Sequence, residues 1–327
     1  MKKLNNKERI LVTGGAGFIG SILCTLIKLK YKNKRVIVID NLSSGKKKYI
    51  NCDEFYNFDL RNKKKLFFFF KKNNISDVIH LAGYTNLRDK SYKRFYENNY
   101  QTTKNLVDNI IKFKIKRLVF ASTASVYGNP KRIPIKEMSE LNPISFYGKS
   151  KLMSEKYINK KSKKNFKSII LRFFNASGAN VPAKLGEDKN PPEHLIPIIM
   201  RNFLSNKKFY IFDSFDTPDG TGIRDYIHVN DICEAIIKSL IYLKKTKSNN
   251  SFFNLGSEVG TSSLVIAKKI ERIAGEKIHY SFKTKKKGEP NKLLASSKKA
   301  KKLLNWRAKN TINKILKDSI FWEKLLM

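Results

Sequence analysis

Tyr147 and Lys151 stand four residues apart in the stretch Tyr147-Gly148-Lys149-Ser150-Lys151, a spacing that puts both side chains on one face of a helix. An ammonium beside a tyrosine lowers the phenol toward working pH, which makes the pair a candidate for proton transfer. Spacing alone says little. With 14 tyrosines in a lysine-rich chain, roughly two or three such pairs arise by chance. Tyr100/Lys104, Tyr127/Lys131 and Tyr157/Lys161 repeat the spacing and read as surface charge. Tyr147 differs in context: it follows Asn142-Pro143, opens a helical stretch, and comes after an apolar run that ends in Ser122-Thr123.

A second group is Thr13-Gly14-Gly15-Ala16-Gly17-Phe18-Ile19-Gly20, directly after Ile10-Leu11-Val12. Glycines let a backbone turn sharply and approach a pyrophosphate, and the N–H groups and dipole of a following helix favour the anion. The next apolar run ends in Asp40, where a carboxylate about 20 residues on takes the adenosine ribose hydroxyls and repels a 2′-phosphate. The expected cofactor is NAD rather than NADP.

These groups need a scaffold, and the order of elements predicts one. Short β-branched runs at 10–12, 36–39, 78–81, 118–120 and 169–171 alternate with helical stretches at 21–29, 98–113 and 147–160. Strand–helix alternation of this kind predicts an α/β fold, a doubly wound parallel sheet whose ligands bind at the carboxyl ends of the strands. Beyond Asn175 the regularity fades and prolines multiply. Residues 1–175 therefore read as the dinucleotide-binding (Rossmann) domain. Residues 176–327 read as a smaller substrate lobe with segments that return to the first domain. Leu66-Phe67-Phe68-Phe69-Phe70 reads as a buried helix stretch.

Composition bounds the setting. Hydrophobic content of 41% is ordinary for a folded chain, whereas 67 Lys+Arg against 27 Asp+Glu give a net charge of +40. The excess is spread along the chain rather than gathered in one patch, so it reads as compositional drift and not as a nucleic-acid surface; a polyanion-binding role stays open as an alternative. Cys24, Cys52 and Cys233 are far apart and lack the spacing of a disulfide framework or a metal site. With no apolar run of ~20 residues and no cleavable leader, the expectation is a cytoplasmic protein that does not enter a membrane.

The chain resembles the UDP-glucose 4-epimerase-like members of the extended short-chain dehydrogenase/reductases. The matching segments are the glycine turn, Asp40-Asn41-Leu42-Ser43, Ser122 to Gly128, Tyr147 to Lys151, Leu171-Arg172-Phe173-Phe174-Asn175, Asp219 to Val229, Asn254-Leu255-Gly256-Ser257 and Leu304-Asn305-Trp306. The resemblance implies a homodimer that inverts C4 of a UDP-sugar through a transient 4-keto sugar, with NAD as hydride acceptor and donor. Tyr147 would be the base, Lys151 would bind the nicotinamide ribose, and Thr123 would bridge tyrosine and substrate. Gly14, Gly17, Phe18, Ile19, Gly20, Asp40, Asn41, Ser43, Asp59, Leu60, Leu81, Ala82, Gly83, Asn98 and Phe174 match cofactor contacts. Asn175, His194, Leu195, Tyr210, Ile211, Phe212, Arg224, Lys286 and Glu289 match nucleotide-sugar contacts, and a guanidinium at 224 suits a diphosphate.

The chain departs from the family pattern at several places. Lys286 replaces a second diphosphate-binding arginine, Glu289 an aspartate, and Thr85 a cofactor-binding lysine; Leu293 lies near the residue that limits the C2 substituent. Related dehydratases place an Asp-Glu pair after the catalytic threonine, and decarboxylases a glutamate close by. Here Ala124 and Ser125 fill those positions, which leaves no carboxylate to drive elimination. UDP-glucose is the expected sugar, with UDP-N-acetylglucosamine and a UDP-pentose left open, as is a non-catalytic NAD-binding regulator.

Overall fold

The computed structural model describes residues 8–285 and 288–327. Strands β1 (Glu8–Thr13), β2 (Lys34–Asp40), β3 (Glu54–Asn57), β4 (Asp77–His80), β5 (Arg117–Thr123) and β6 (Lys167–Phe173) form the body of the protein. Further strands are β7 (Asn175–Ser177), β8 (Phe209–Asp213), β9 (Ile223–His228), β10 (Asn250–Leu255), β11 (Gly260–Ser262), β12 (Tyr280–Thr284) and β13 (Lys292–Leu293). The helices are α1 (Phe18–Lys30), α2 (Lys63–Lys72), α3 (Tyr92–Phe95), α4 (Thr102–Lys112), α5 (Phe146–Asn165), α6 (Leu195–Leu204), α7 (Val229–Lys245), α8 (Ser263–Ala274), α9 (Lys298–Leu304) and α10 (Ile312–Leu326).

Among the described residues, seven strands pair in parallel in the order β10-β6-β5-β4-β1-β2-β3. The order reverses direction between β4 and β1, which opens a crevice beyond their carboxyl ends. The central strands are covered on both faces and so read as continuous apolar runs. One face packs Ile22, Leu23, Ile236, Leu240 and Trp306, and the other packs Leu66, Phe70, Leu106, Val107 and Ile158. A separate apolar cluster joins α6, α8 and α10 to β8 and β9, through Ile199, Ile211, Tyr226, Ile266, Ile270 and Ile315.

Several boundaries differ from the sequence expectation. Helix α1 starts at Phe18 rather than Ser21, because the glycine turn feeds straight into it. The stretch expected as one helix from Asn98 is a π-helix over Tyr96–Gln101 that runs into α4. The phenylalanine run is helical but amphipathic: Leu66, Phe69 and Phe70 are buried, while Phe68 is exposed. Strands β3 and β10 were not anticipated. β10 lies beyond residue 175 yet pairs with β6 in the main sheet, and α7 packs against α1. Tyr127 is no surface residue, for it is buried within a polar network.

That network fixes α5 to the sheet. Arg172 on β6 and Glu155 on α5 are each 2% exposed and pair along one guanidinium edge, Nε to Oε1 at 3.0 Å and Nη2 to Oε2 at 2.7 Å. Arg172 Nη1 donates to the Tyr127 hydroxyl (2.8 Å) and the Glu137 carbonyl (2.9 Å); Tyr127 in turn donates to Asn254 Oδ1 on β10 (2.6 Å). Ser122 also donates to Glu155. Removing one partner strands a buried charge, so Arg172→Met should cost about 3–5 kcal/mol in chemical denaturation. Arg172→Met combined with Glu155→Leu should recover roughly half of that loss or more.

Candidate active site

The glycine turn is shaped by contacts no side chain could share. Gly14 has φ +75°, and a Cβ there would sit 2.6 Å from the Ala82 nitrogen; a Cβ on Gly20 would lie 2.1 Å from the Gly14 carbonyl oxygen. Gly17 caps α1 without a side chain, so the first-turn N–H groups of Phe18 and Ile19 are free of intrahelical partners and face the crevice end of the helix. No acidic residue occupies that turn. The arrangement suits a pyrophosphate.

Asp40 ends β2 beside this turn. Its Oδ2 accepts from the Ala16 N–H (2.9 Å) and its Oδ1 from the Leu42 N–H (2.8 Å). Burial raises its pKa, and those two backbone donors oppose the shift without cancelling it. Asn41 Nδ2 donates to Asp59 (2.8 Å), and Asn41 Oδ1 accepts from the Ser43 N–H (3.1 Å), so Asp40, Asn41, Ser43 and Asp59 form one connected rim, with Leu60 buried behind it. On the other side of β1, Leu81, Ala82 and Gly83 follow β4; the Leu81 N–H donates to the Thr13 carbonyl (3.0 Å) and Ala82 lies against Gly14.

Asn98 and its neighbour Asn99 face different partners. The Asn98 side chain turns back to the Arg94 carbonyl (2.8 Å), and the buried Asn99 faces the crevice. Asn99 Oδ1 accepts from the Tyr84 N–H (2.6 Å), and its Nδ2 donates to the Tyr84 carbonyl (3.0 Å) and to Ser150 (2.9 Å). A Cβ on Gly83 would lie 3.1 Å from both Asn99 Oδ1 and Lys151 Nζ. A π-turn carries an extra residue, and that extra residue moves the inward face from one asparagine to the next.

Helix α5 is capped by Ser145, whose hydroxyl accepts from the Gly148 N–H (3.1 Å), and so places Tyr147 in its first turn and Lys151 one turn later. Tyr147 is half-buried, with its ring 6.2 Å from that of Phe95, and its hydroxyl lies on the Thr123 side of the crevice. Thr123 also donates to Ser125 (3.2 Å). Lys151 is 3% exposed; its ammonium donates to the Ala121 carbonyl (2.9 Å) and lies 4.8 Å from the Phe120 ring centre. Burial lowers its pKa to about 8, against the opposing pull of Glu155.

The expected lowering of Tyr147 by Lys151 is not what the geometry gives. Burial pushes the tyrosine up to about 12, and only Thr123 pulls it back. Beneath the pair sits His80, which the sequence reading passed over. It bridges Thr13 (2.7 Å) and Thr103 (2.9 Å), and burial, with the nearby Lys151 charge, lowers it to about 3. It is therefore neutral and adds no second positive charge.

The remaining residues gather where β6 gives way to β7. Phe174 is buried with Ala124, Tyr127, Leu152 and Ala295, and Asn175 opens β7 opposite Tyr226 of β9. His194 caps α6 just before Leu195, and its Nδ1 lies 2.8 Å from Glu187; burial lowers its pKa, but the charge and hydrogen bond of Glu187 together turn the net shift upward. Along β8, Tyr210 and Phe212 are exposed, while Ile211 turns its side chain into the α6–α8 core and leaves only its backbone to a ligand. Strand alternation, invisible in a three-residue match, makes that division.

Arg224 on β9 donates to the carbonyls of Ile223 (2.9 Å) and Asn291 (3.4 Å), with its guanidinium 5.7 Å from the Phe215 ring centre. Burial lowers its pKa, opposed by Tyr226 and Glu289. Lys285 comes to the same place: its ammonium is 4.7 Å from that ring and donates to Asn291 Oδ1 (2.7 Å). Lys286 lies outside the described residues. Sequence reasoning missed both Lys285 and Phe215, and a run of three lysines carries no signal that could have separated them. Asp225, the next residue on β9, accepts from Ser257, Glu258 and Ala295 and so anchors the strand that carries Arg224.

A cavity of about 330 Å³ lies at the opposite edge of the sheet, away from all of these groups, and is lined by Lys116, Arg117, Lys164, Lys167 and Lys244. Its cations collect where α5 and α7 end, as helix dipoles favour.

Comparison with known proteins agrees with this geometry. Residues 10–256 match the NAD dependent epimerase/dehydratase family. A curated relative, the UDP-glucose 4-epimerase of Streptococcus mutans, is 36% identical over 96% of both chains. Among solved structures, UDP-glucose 4-epimerase from Brucella ovis in complex with NAD superposes with a TM-score of 0.90 at 31% identity, covering 96% of this chain and 97% of that one. The UDP-glucose 4-epimerase from Bifidobacterium longum in complex with NAD+ and UDP gives a TM-score of 0.89 at 32% identity, covering 97% and 98%. With a crevice of this construction and a family match that spans the whole dinucleotide-binding sheet, the chain belongs to the NAD dependent epimerase/dehydratase family.

Proposed function

We propose that the protein inverts C4 of a UDP-sugar, with UDP-glucose and UDP-galactose as the natural pair. The observation that carries the reading is the meeting of Tyr147, Thr123 and Lys151 at the carboxyl end of the sheet, with Ala124 and Ser125 rather than carboxylates following the threonine. That set can move a proton and support a hydride transfer but lacks the acid–base pair for elimination.

The residues present fit NAD. Gly14, Gly17, Phe18, Ile19 and Gly20 would take the pyrophosphate, Asp40, Asn41, Ser43, Asp59 and Leu60 the adenosine end, and Leu81, Ala82, Gly83, Phe174 and Lys151 the nicotinamide end, with Asn99 in the role expected of Asn98. When bound, NAD supplies the hydride acceptor and donor at C4 and, oxidised, a positive charge that favours the phenolate. Tyr147 takes the proton of the C4 hydroxyl as hydride leaves C4, with Thr123 holding that hydroxyl. Once the 4-keto sugar has turned, Tyr147 would give the proton back to the C4 oxygen as C4 is reduced on its other face. Arg224 and Lys285 flank Phe215 and would hold the diphosphate throughout, with Asn175, His194, Leu195, Tyr210, the Ile211 backbone, Phe212 and Glu289 around the nucleotide and sugar.

A homodimer is part of this reading. Tyr92 and Phe146 are exposed and packed edge to face, and Tyr96 and Tyr100 continue the aromatic strip along the π-helix beside α5. Contiguous apolar surface of that kind marks an interface. No helix among the described residues is long and apolar enough to cross a membrane. Cys24, Cys52 and Cys233 are free thiols, which fits the reducing cytoplasm.

Incubation of the purified protein with UDP-glucose, UDP-N-acetylglucosamine or UDP-xylose, followed by proton NMR, should give C4 inversion of UDP-glucose without added cofactor. Inversion of another sugar alone would reassign the substrate, and no inversion even with NAD would overturn the reading. Tyr147→Phe should lower kcat about 10²–10⁴-fold in the same assay while the protein keeps its NAD.

The buried ammonium has a stability signature as well. Lys151 falls from its ordinary 10.5 to about 8, so below pH 8 it is charged in both states and the fold carries a desolvation cost of about 3 kcal/mol. That cost disappears between pH 8 and 10.5, where the folded state gives up the proton first. Lys151→Met should therefore raise Tm at pH 7, and the gain should shrink as pH approaches 10.5.

A further inference from the structure

The segment after Gly186 crosses the crevice at the point where the strand order reverses. On one side, Asp188, only 9% exposed at its side chain, takes the Lys46 ammonium at 2.6 Å and the Tyr49 hydroxyl at 2.7 Å. Lys46 and Tyr49 belong to the loop after β2, which rests on the glycine turn: the Lys46 N–H donates to the Ala16 carbonyl (3.3 Å), and Gly45 is pressed against Ala16. On the other side, the Lys189 ammonium donates to Thr85 (2.7 Å), two residues past Gly83, and pairs with Glu193. Two adjacent side chains of one segment thus grip the loops after β2 and β4, and β1 with its glycine turn lies between them.

The segment is held from behind. Trp322 on α10 donates to the Glu187 carbonyl (2.9 Å), stands edge-on to Tyr49 at 5.7 Å, and leaves no room for a side chain at Gly186. Arg201 on α6 donates to the Lys189 carbonyl and is itself fixed by Glu323 (2.7 Å). Such anchoring suits a strap rather than a loose loop.

We propose that Asp188 and Lys189 are positioning residues that strap the dinucleotide into the crevice between turnovers. The proposal rests on the epimerase reading for the identity of the occupant. It also meets a need of that chemistry: hydride taken from C4 must return to the same sugar, and a reduced cofactor that escaped midway would carry the electron pair away and strand the keto sugar.

The test is the rate at which NAD leaves the loaded protein, read by dilution into alcohol dehydrogenase and ethanol, which convert released NAD to NADH. Asp188→Asn and Lys189→Met should each speed release about tenfold, the range of one charge-assisted hydrogen bond. Tyr49→Phe, which removes a single hydroxyl from the same grip and leaves the fold intact, should speed it about threefold. C4 inversion with excess NAD should stay within about twofold of the parent in all three. Release as slow as in the parent for all three variants overturns the strap and leaves the epimerase reading standing. Unchanged release with lost inversion also overturns it, since the segment would then serve the sugar. A parent protein that holds no NAD even after loading overturns both readings.

Discussion

The buried ion pair between Arg172 and Glu155 is the fixed point of the catalytic half. Helix α5 carries Tyr147, Lys151 and Glu155 at successive turns of one face, and the pairing of Glu155 with β6 sets how deep that face sits against the sheet. Two charges removed from water are tolerable only with excellent geometry and every remaining hydrogen bond made. Tyr127, Glu137, Ser122 and Asn254 complete those bonds, and through Asn254 the constraint reaches β10, a strand from the far end of the chain. Lys151 is buried because Glu155 is anchored one turn below it.

Desolvation then sets the character of each group in the crevice. Lys151 is brought down to about 8, His80 is held neutral, Asp40 is raised in spite of two backbone donors, and Tyr147 stands near 12. The protein alone is thus poised against forming the phenolate. In the role proposed for it, Tyr147 gains basicity when positive charge arrives beside it, which would tie proton transfer to an oxidised cofactor. Activation and hydride acceptance then come from one binding event.

The nucleotide-sugar side is built on different physics. Its β9 strand is held by Asp225, which accepts from three separate backbone N–H groups, and its cations stand over Phe215 rather than in ion pairs with carboxylates. Among the described residues the Arg224 guanidinium bonds carbonyls and an aromatic face, which leaves donors for an incoming phosphate. The two halves meet where Phe173 ends β6 and Asn175 begins β7, and again where the segment at Asp188 and Lys189 crosses to the glycine turn.

What sequence by itself determined is what short range determines. The glycine turn, Asp40 at the next strand end and the Tyr147/Lys151 pair in its context depend on a strand, a turn or one helical step, and each was legible from residue type and position; the meaning of Ala124 and Ser125 came from the family resemblance. Tertiary structure alone decided the rest. A π-turn rotated the inward position from Asn98 to Asn99; strand alternation sent Ile211 into the core while Tyr210 and Phe212 stayed outside; and Tyr127, one of four tyrosines at lysine spacing, became a buried partner of Arg172. Lys285 met Phe215 across 70 residues, and Lys189 met Thr85 across 104 residues. Such contacts depend on how separate elements dock, and docking is set by the summed burial of two faces of a sheet, which no local pattern of residues encodes.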